Sequence, residues 1–213
     1  MVKGILIDWG GVLTSPMGVS IAHWLEADRI DAAHYRQVMR RLITEAYSED
    51  GGHNVVHALE RGELGAAEFE RLLAAELLTL DGTPPPAEGL INRMFAGFAR
   101  EEAMYGMLRE ARSRGLKTCL LSNSWANDYP REDWPELFDA VVISGEIGMR
   151  KPEPRIFHHA LGLIGLEAAD CVFIDDIEAN ILAGTGLGLR GIHHRDAVAT
   201  IAELETLLSS PLA

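Results

Sequence analysis

The sequence predicts a three-layer α/β fold: a doubly wound parallel sheet with helices on both faces, and a block of helices inserted after the first strand. Three observations predict it. Short apolar runs without polar–apolar alternation recur along the chain, as strands buried on both faces require. Helical periodicity fills the gaps between them, which is the rhythm of a parallel sheet. From about residue 16 to 98 that rhythm stops and only helical pattern remains.

The first strand is "GILID" (4–8), followed at once by the glycine-rich "WGGVLTS". The helical block reads as helices near 19–48, 53–61, 66–79 and 87–98, with "DGTPPPAEG" breaking two of them. "GELGAAEFERLLAAELL" has apolar residues at helical spacing. The remaining strands are "KTCLLS" (117–122), "AVVIS" (140–144), "CVFIDD" (171–176) and a possible fifth, "RGIHH" (190–194). Helical patterns at 100–114, 154–165, 178–187 and 196–208 separate and follow them. The expected division is a core of 1–15 and 99–213 and a helical insertion of 16–98, with hinges near 14–17 and 97–100.

The totals narrow the function. With 47% apolar residues in 213, a substantial core is expected. Nineteen basic against 32 acidic residues give a net charge of −13, which repels nucleic acid and anionic membranes as general partners. A small anionic substrate stays open if a bound metal reverses the local sign. Cys119 and Cys171 each lie inside an apolar run and read as buried thiols, not a disulfide framework. "MVKGILID" is not a secretory signal and no stretch approaches a membrane span, so the expected compartment is the cytoplasm.

In an open parallel sheet ligands bind beyond the carboxyl ends of the strands. Those ends carry Asp8, then Ser122-Asn123, then Lys151 in "GEIGMRKPEP", then Asp175-Asp176. Each has an ordinary explanation alone: a helix cap, a turn, a helix entry. Together, an acid, a hydroxyl, a lysine and an acid pair at successive strand ends are a much stronger signal of a site than any one of them alone.

In this order and context the chain resembles the haloacid dehalogenase-like (HAD) hydrolase superfamily. "ILIDWGGVLTS", "CLLSNS", "RKPEPRIF" and "VFIDDIEAN" are similar to its four motifs, and a helical cap after the first motif is a family feature. The resemblance spans essentially the whole chain. It implies a Rossmann-like core and a phosphatase acting on a small phosphorylated metabolite. Asp8 is implied as the nucleophile that forms an aspartyl-phosphate, which splits one displacement into two. Ser122, the Asn123 amide and Lys151 are implied to hold the phosphoryl oxygens, with Gly10 at the site; Trp9, beside Asp8, either packs under the cap or lines the substrate pocket, and packing is the better reading. Mg²⁺ is implied on Asp8, the Gly10 carbonyl and the acid pair, with Asp176 direct and Asp175 supporting.

One position departs from the phosphatase pattern. The second acid of an Asp-x-Asp first motif is here Gly10. A backbone metal contact survives that change, but the carboxylate that protonates the leaving oxygen does not. A positioned acid or base is worth about 10²–10⁴ in rate. The expectation is therefore a phosphatase favouring good leaving groups. The alternatives are a phosphate- and metal-binding regulatory module with little turnover, and a carbon–halogen hydrolase, whose leaving halide needs no proton but which needs no magnesium either. His23, His53 and His57 are candidate substitute acids, each with an ordinary surface or core explanation.

Other signals are read conservatively. "GTGLGLRG" closes a helix instead of opening one, so it is a glycine-rich helix end and not a dinucleotide fingerprint. His158-His159 are adjacent on a helix and face different ways. His193-His194 are expected to be exposed.

Overall fold

The computed structural model describes residues 1–46 and 54–208, with side chains described outside 43–46. Five strands form one all-parallel sheet: β1 Gly4–Ile7, β2 Lys117–Ser122, β3 Ala140–Ile143, β4 Cys171–Asp175 and β5 Arg190–His193. Their order is β3-β2-β1-β4-β5, so β1 is central and the chain winds outward to both sides. The possible fifth strand is a strand, with Asp175 in register with His193.

Alternation along the strands builds the three layers. Ile5, Ile7, Leu120, Val172 and Ile174 share one apolar cluster with residues of α6 Glu102–Ser113, α7 Trp134–Leu137 and α11 Ala197–Leu208. The alternate residues Leu6, Cys119, Leu121 and Phe173 point the other way, against α9 Pro154–Ile164. The flank of α10 Glu178–Gly186 packs there too, because Gly184 lies so close to Phe173 that a Cβ would come within 2.9 Å of the ring. Both cysteines are buried free thiols in this core.

The helical insertion has its own apolar cluster. It comprises α1 Met17–Ala27, α2 Ala32–Ala46, α3 Val55–Glu60, α4 Ala66–Glu76 and α5 Leu90–Phe95, packed around Trp24, Leu59, Phe69, Leu73, Leu90 and Met94. The single helix expected near 19–48 is two. Arg29 adopts φ 53°, Ile30 forms an antiparallel bridge with Thr79, and Asp31 Oδ1 accepts the amides of Ala33 and His34 at 2.8 and 3.0 Å, starting α2 afresh.

The two segments that join insertion and core pair with each other. Thr14 and Arg100 form an antiparallel bridge, the Ser15 amide donates to Ala99 O at 2.7 Å and the Glu101 amide to Leu13 O at 3.0 Å. A second tie runs from α3 to the core. Glu60 makes a buried ion pair with Arg150, and its carbonyl accepts from Ser144 Oγ at 2.5 Å. Ser144, expected to end the third strand, instead opens the short helix α8 Ser144–Ile147.

Candidate active site

The carboxyl ends of β1, β2 and β4 converge with the loop after α8. Asp8 follows β1 and is 7% exposed. Its amide donates to Ile174 O at 2.9 Å, which carries the ladder one residue past the strand. Its Oδ1 accepts the Trp9 amide at 2.7 Å and lies 2.9 Å from Lys151 Nζ. Lys151 is fully buried and also reaches Asp175 Oδ2 at 2.6 Å.

Two amide side chains fix this arrangement. The Lys151 amide donates to Asn123 Oδ1 at 2.8 Å and Asn123 Nδ2 donates to Lys151 O at 2.9 Å, clipping the lysine loop to the end of β2. Asn180, from the first turn of α10, donates to both oxygens of Asp175 at 3.1 Å, and the Ile177 amide adds a bond to Oδ1 at 2.8 Å. Asp175 is thus wholly committed to protein donors. Asp176 joins the group through its carboxylate, while its carbonyl meets His193 Nε2 at 3.0 Å. One oxygen each of Asp8, Asp175 and Asp176 lie within 4.8 Å of one another.

The electrostatics show a cluster short of positive charge. Burial pushes the Asp8 carboxyl up to about 7, against the pull of Lys151 and with a push from Asp175 and Asp176. Burial and Asp175 push Asp176 up to about 6. For Lys151 burial works downward, but Asp175 and Asp8 outweigh it and hold the ammonium above the ordinary lysine range. Three carboxylates around one buried cation are a hard-oxygen donor set that suits a divalent ion such as Mg²⁺.

The glycines after Asp8 differ in kind. Gly11 has φ +75° and a Cβ there would overlap Asp176 Oδ2, so this close approach requires glycine. Gly10 is unstrained; its Cβ would meet only Met17 Cε, at 3.9 Å.

A cavity of about 200 Å³ opens over Asp8, Gly10, Ser122, Asn123, Lys151 and Asp176. Met17, Glu60 and Phe95 of the helical insertion wall its far side, joined by Phe98 of the linker segment. Trp9 lines it too, but is 6% exposed and packs edge-to-face on Phe98 at 5.3 Å and Tyr129 at 4.8 Å. Ser122 Oγ shares a 3.0 Å hydrogen bond with the Tyr129 hydroxyl.

The histidines are scattered. His23 is exposed on α1. His57, on α3, is pushed down to about 4 by burial and by Arg150 and Arg61. His53 lies outside the described residues. The pair at 193–194, expected to be exposed, is not. His194 is 7% exposed and bonded through Nδ1 to Thr200 Oγ1 at 2.8 Å.

Tyr129, Glu60 and Asn180 were not singled out by sequence reasoning. Asn180 had a usable signal: a polar residue in the first turn of a helix that leaves a strand ending in two acids. Tyr129 sits in an irregular stretch with no periodicity to place it. Glu60 reads as one more acid on a cap helix until its partner Arg150 is seen.

Comparison with known proteins agrees with this architecture. The sequence model of the haloacid dehalogenase-like hydrolases matches residues 2–188. The sesquiterpene phosphatase astK of Aspergillus oryzae is 32% identical over 155 residues, covering 70% of this chain and 76% of that protein. Bifunctional epoxide hydrolase 2 of Sus scrofa is 24% identical across 95% of this chain, which spans only 38% of that larger protein. Among solved structures, a HAD family enzyme of Bacteroides thetaiotaomicron in complex with magnesium and inorganic phosphate superposes with a TM-score of 0.63. It is 22% identical and the match covers 92% of this chain and 95% of that one, a likeness of fold. Among the described residues no helix is long and apolar enough to cross a membrane.

Proposed function

The chain belongs to the haloacid dehalogenase-like hydrolases, and from that premise we propose that it is a magnesium-dependent phosphatase of a small phosphorylated metabolite, with Asp8 as nucleophile. The observation that carries the reading is the buried Lys151 ammonium, 2.9 Å from Asp8 and 2.6 Å from Asp175. It sits beside a three-carboxylate cluster at the floor of a cavity that could admit a phosphate group. The relationship to a sesquiterpene phosphatase supports the same chemistry.

In this reading the Trp9 amide and Lys151 hold Asp8 Oδ1 and orient the carboxylate, leaving Oδ2 to attack phosphorus. The P–O bond to the leaving group breaks as the bond to Asp8 forms. Water then attacks the aspartyl-phosphate, releasing orthophosphate and restoring Asp8. Lys151, Ser122 and the Asn123 amide neutralise the peripheral oxygens, and Asn123 holds Lys151 in place. Mg²⁺ would be held by Asp8, Asp176 and the Gly10 carbonyl, with Asp175 behind, and would supply neutralisation of phosphoryl charge. That Asp175 is taken up by Lys151, Asn180 and the Ile177 amide supports its supporting role. The helical insertion acts as a cap over the site, with the paired segments around Thr14 and Arg100 as its hinge.

Gly10 provides no proton, and His57, neutral at pH 7, is a poor substitute acid. Leaving-group acidity should therefore govern the first step. Gly10 is also the observation that favours a second reading, a phosphate-binding module with little turnover. The acid cluster weighs against a metal-free carbon–halogen hydrolase. The test is phosphate release from p-nitrophenyl phosphate and a panel of sugar phosphates, with and without Mg²⁺, beside Asp8→Asn. Magnesium-dependent release lost in the variant supports the enzyme. Release no greater than the variant's would turn the assignment to the binding module.

A further inference from the structure

Behind the small cavity over Asp8 lies a larger one of about 610 Å³, within the ~300–1,000 Å³ range of sites for drug-sized molecules. The two adjoin: Met17, Glu60, Phe95, Trp125 and Ile177 line both. Beyond those shared residues the larger apolar side chains of the wall are Ile21, Tyr35, Met39, Val56 and Met94, drawn from α1, α2, α3 and α5. Three of the chain's seven methionines stand here, side chains that adapt to irregular apolar shapes.

Its polar lining is Glu60, Arg150, Tyr35, His57 and Glu178, with Glu178 exposed at the start of α10. Glu60 and Arg150 are buried against each other. Burial keeps Tyr35 un-ionised, its phenol pushed up to about 12, and His57 is neutral at pH 7. At the mouth, Met17 and Ile177 are 40% and 47% exposed, an apolar pair with one member from each side of the site.

We infer that the substrate is a phosphate monoester with an extended hydrocarbon tail, its phosphate over Asp8 and Lys151 and its tail in the methionine-lined cavity beneath the helical insertion. The inference rests on the phosphatase reading for the placement of the phosphate. The tail site follows from the size and lining of the cavity and from the five residues it shares with the wall of the anion site. A sugar phosphate would leave this volume with no hydroxyl partners proportionate to its surface. A hydrocarbon fills it and takes its own apolar surface out of water.

The test separates the two claims. Binding of n-alkyl phosphonates from ethyl to decyl, which cannot be hydrolysed, is measured by calorimetry on the wild-type protein with Mg²⁺. Affinity should rise about fourfold per methylene until the cavity is filled, with an increasingly negative heat-capacity change. Met39→Trp, which places a ring in the cavity, should collapse the decyl-to-ethyl affinity ratio at least tenfold. Affinity flat with chain length, or a ratio untouched by Met39→Trp, overturns the tail site. Turnover is then read with 4-alkylphenyl phosphates, which lengthen the tail at nearly constant leaving-group acidity. Magnesium-dependent turnover indifferent to tail length would leave the phosphatase and overturn the specificity. Chain-length-dependent binding without any turnover would keep the tail site and overturn the phosphatase.

Discussion

Replacing Asp8, the proposed nucleophile, should stabilise the fold while abolishing turnover. Asp8 is pushed from an ordinary 3.8 to about 7 by burial and by Asp175 and Asp176, with the Lys151 attraction already included. The sign follows from linkage. A group whose folded value is raised contributes stability that is fully present below about pH 4 and lost as pH rises through 7. The shift is roughly 3 units, so ionised Asp8 costs the fold about 4 kcal/mol at pH 8 in the absence of a divalent cation. Asparagine keeps the shape and an acceptor for the Trp9 amide, and like the protonated acid it is neutral beside Lys151, a loss the shift already includes. A gain of about 4 kcal/mol is expected, which for a chain of this length is about 8–16 °C in Tm. The assay is thermal unfolding of wild type and Asp8→Asn in EDTA at pH 4 and pH 8. Curves that coincide at pH 4 and separate at pH 8, with the variant higher, are expected, and saturating Mg²⁺ should narrow the gap. A variant equal to or less stable than wild type at pH 8 would refute the account of an under-neutralised acid cluster.

Further outcomes follow from the same geometry. Gly10 has room for a Cβ, which would meet only Met17 Cε at 3.9 Å, so Gly10→Asp is the variant to make. It should raise kcat by about 10²–10⁴ on poor leaving groups and far less on p-nitrophenyl phosphate, as read by steady-state kinetics. Gly11→Ala must push Asp176 aside from a φ +75° backbone. It should weaken Mg²⁺ binding by about 10–100-fold in calorimetric titration. Arg150→Met strands Glu60 in a buried position. It should cost about 3–5 kcal/mol in urea unfolding, whereas replacing both partners with apolar residues should cost much less.

The parts of this molecule that were legible in its sequence are those set by unbroken local pattern. Buried parallel strands such as "CVFID" need no alternation, and the acids and lysine at their ends can be read as a set because the topology brings those ends together. The division of α1 from α2 was also written there, in Asp31 as a cap, but an apolar period running through 19–48 masked it. What could not be read is what depends on distant partners. Glu60 becomes a tie between insertion and core only through Arg150, ninety residues away. Tyr129 gains its place from Ser122 and Trp9. The large cavity has no motif at all, since it is formed by residues scattered over several helices and three loops.

The central claim is that phosphate passes through Asp8. Its most direct test is to mix the wild-type protein with Mg²⁺ and p-nitrophenyl phosphate, quench in acid within milliseconds, and map the protein by mass spectrometry. One phosphoryl group on the peptide holding Asp8, absent without Mg²⁺ and absent from Asp8→Asn, is the predicted result. Steady magnesium-dependent phosphate release with no such adduct, and with Asp8→Asn as active as wild type, would contradict it.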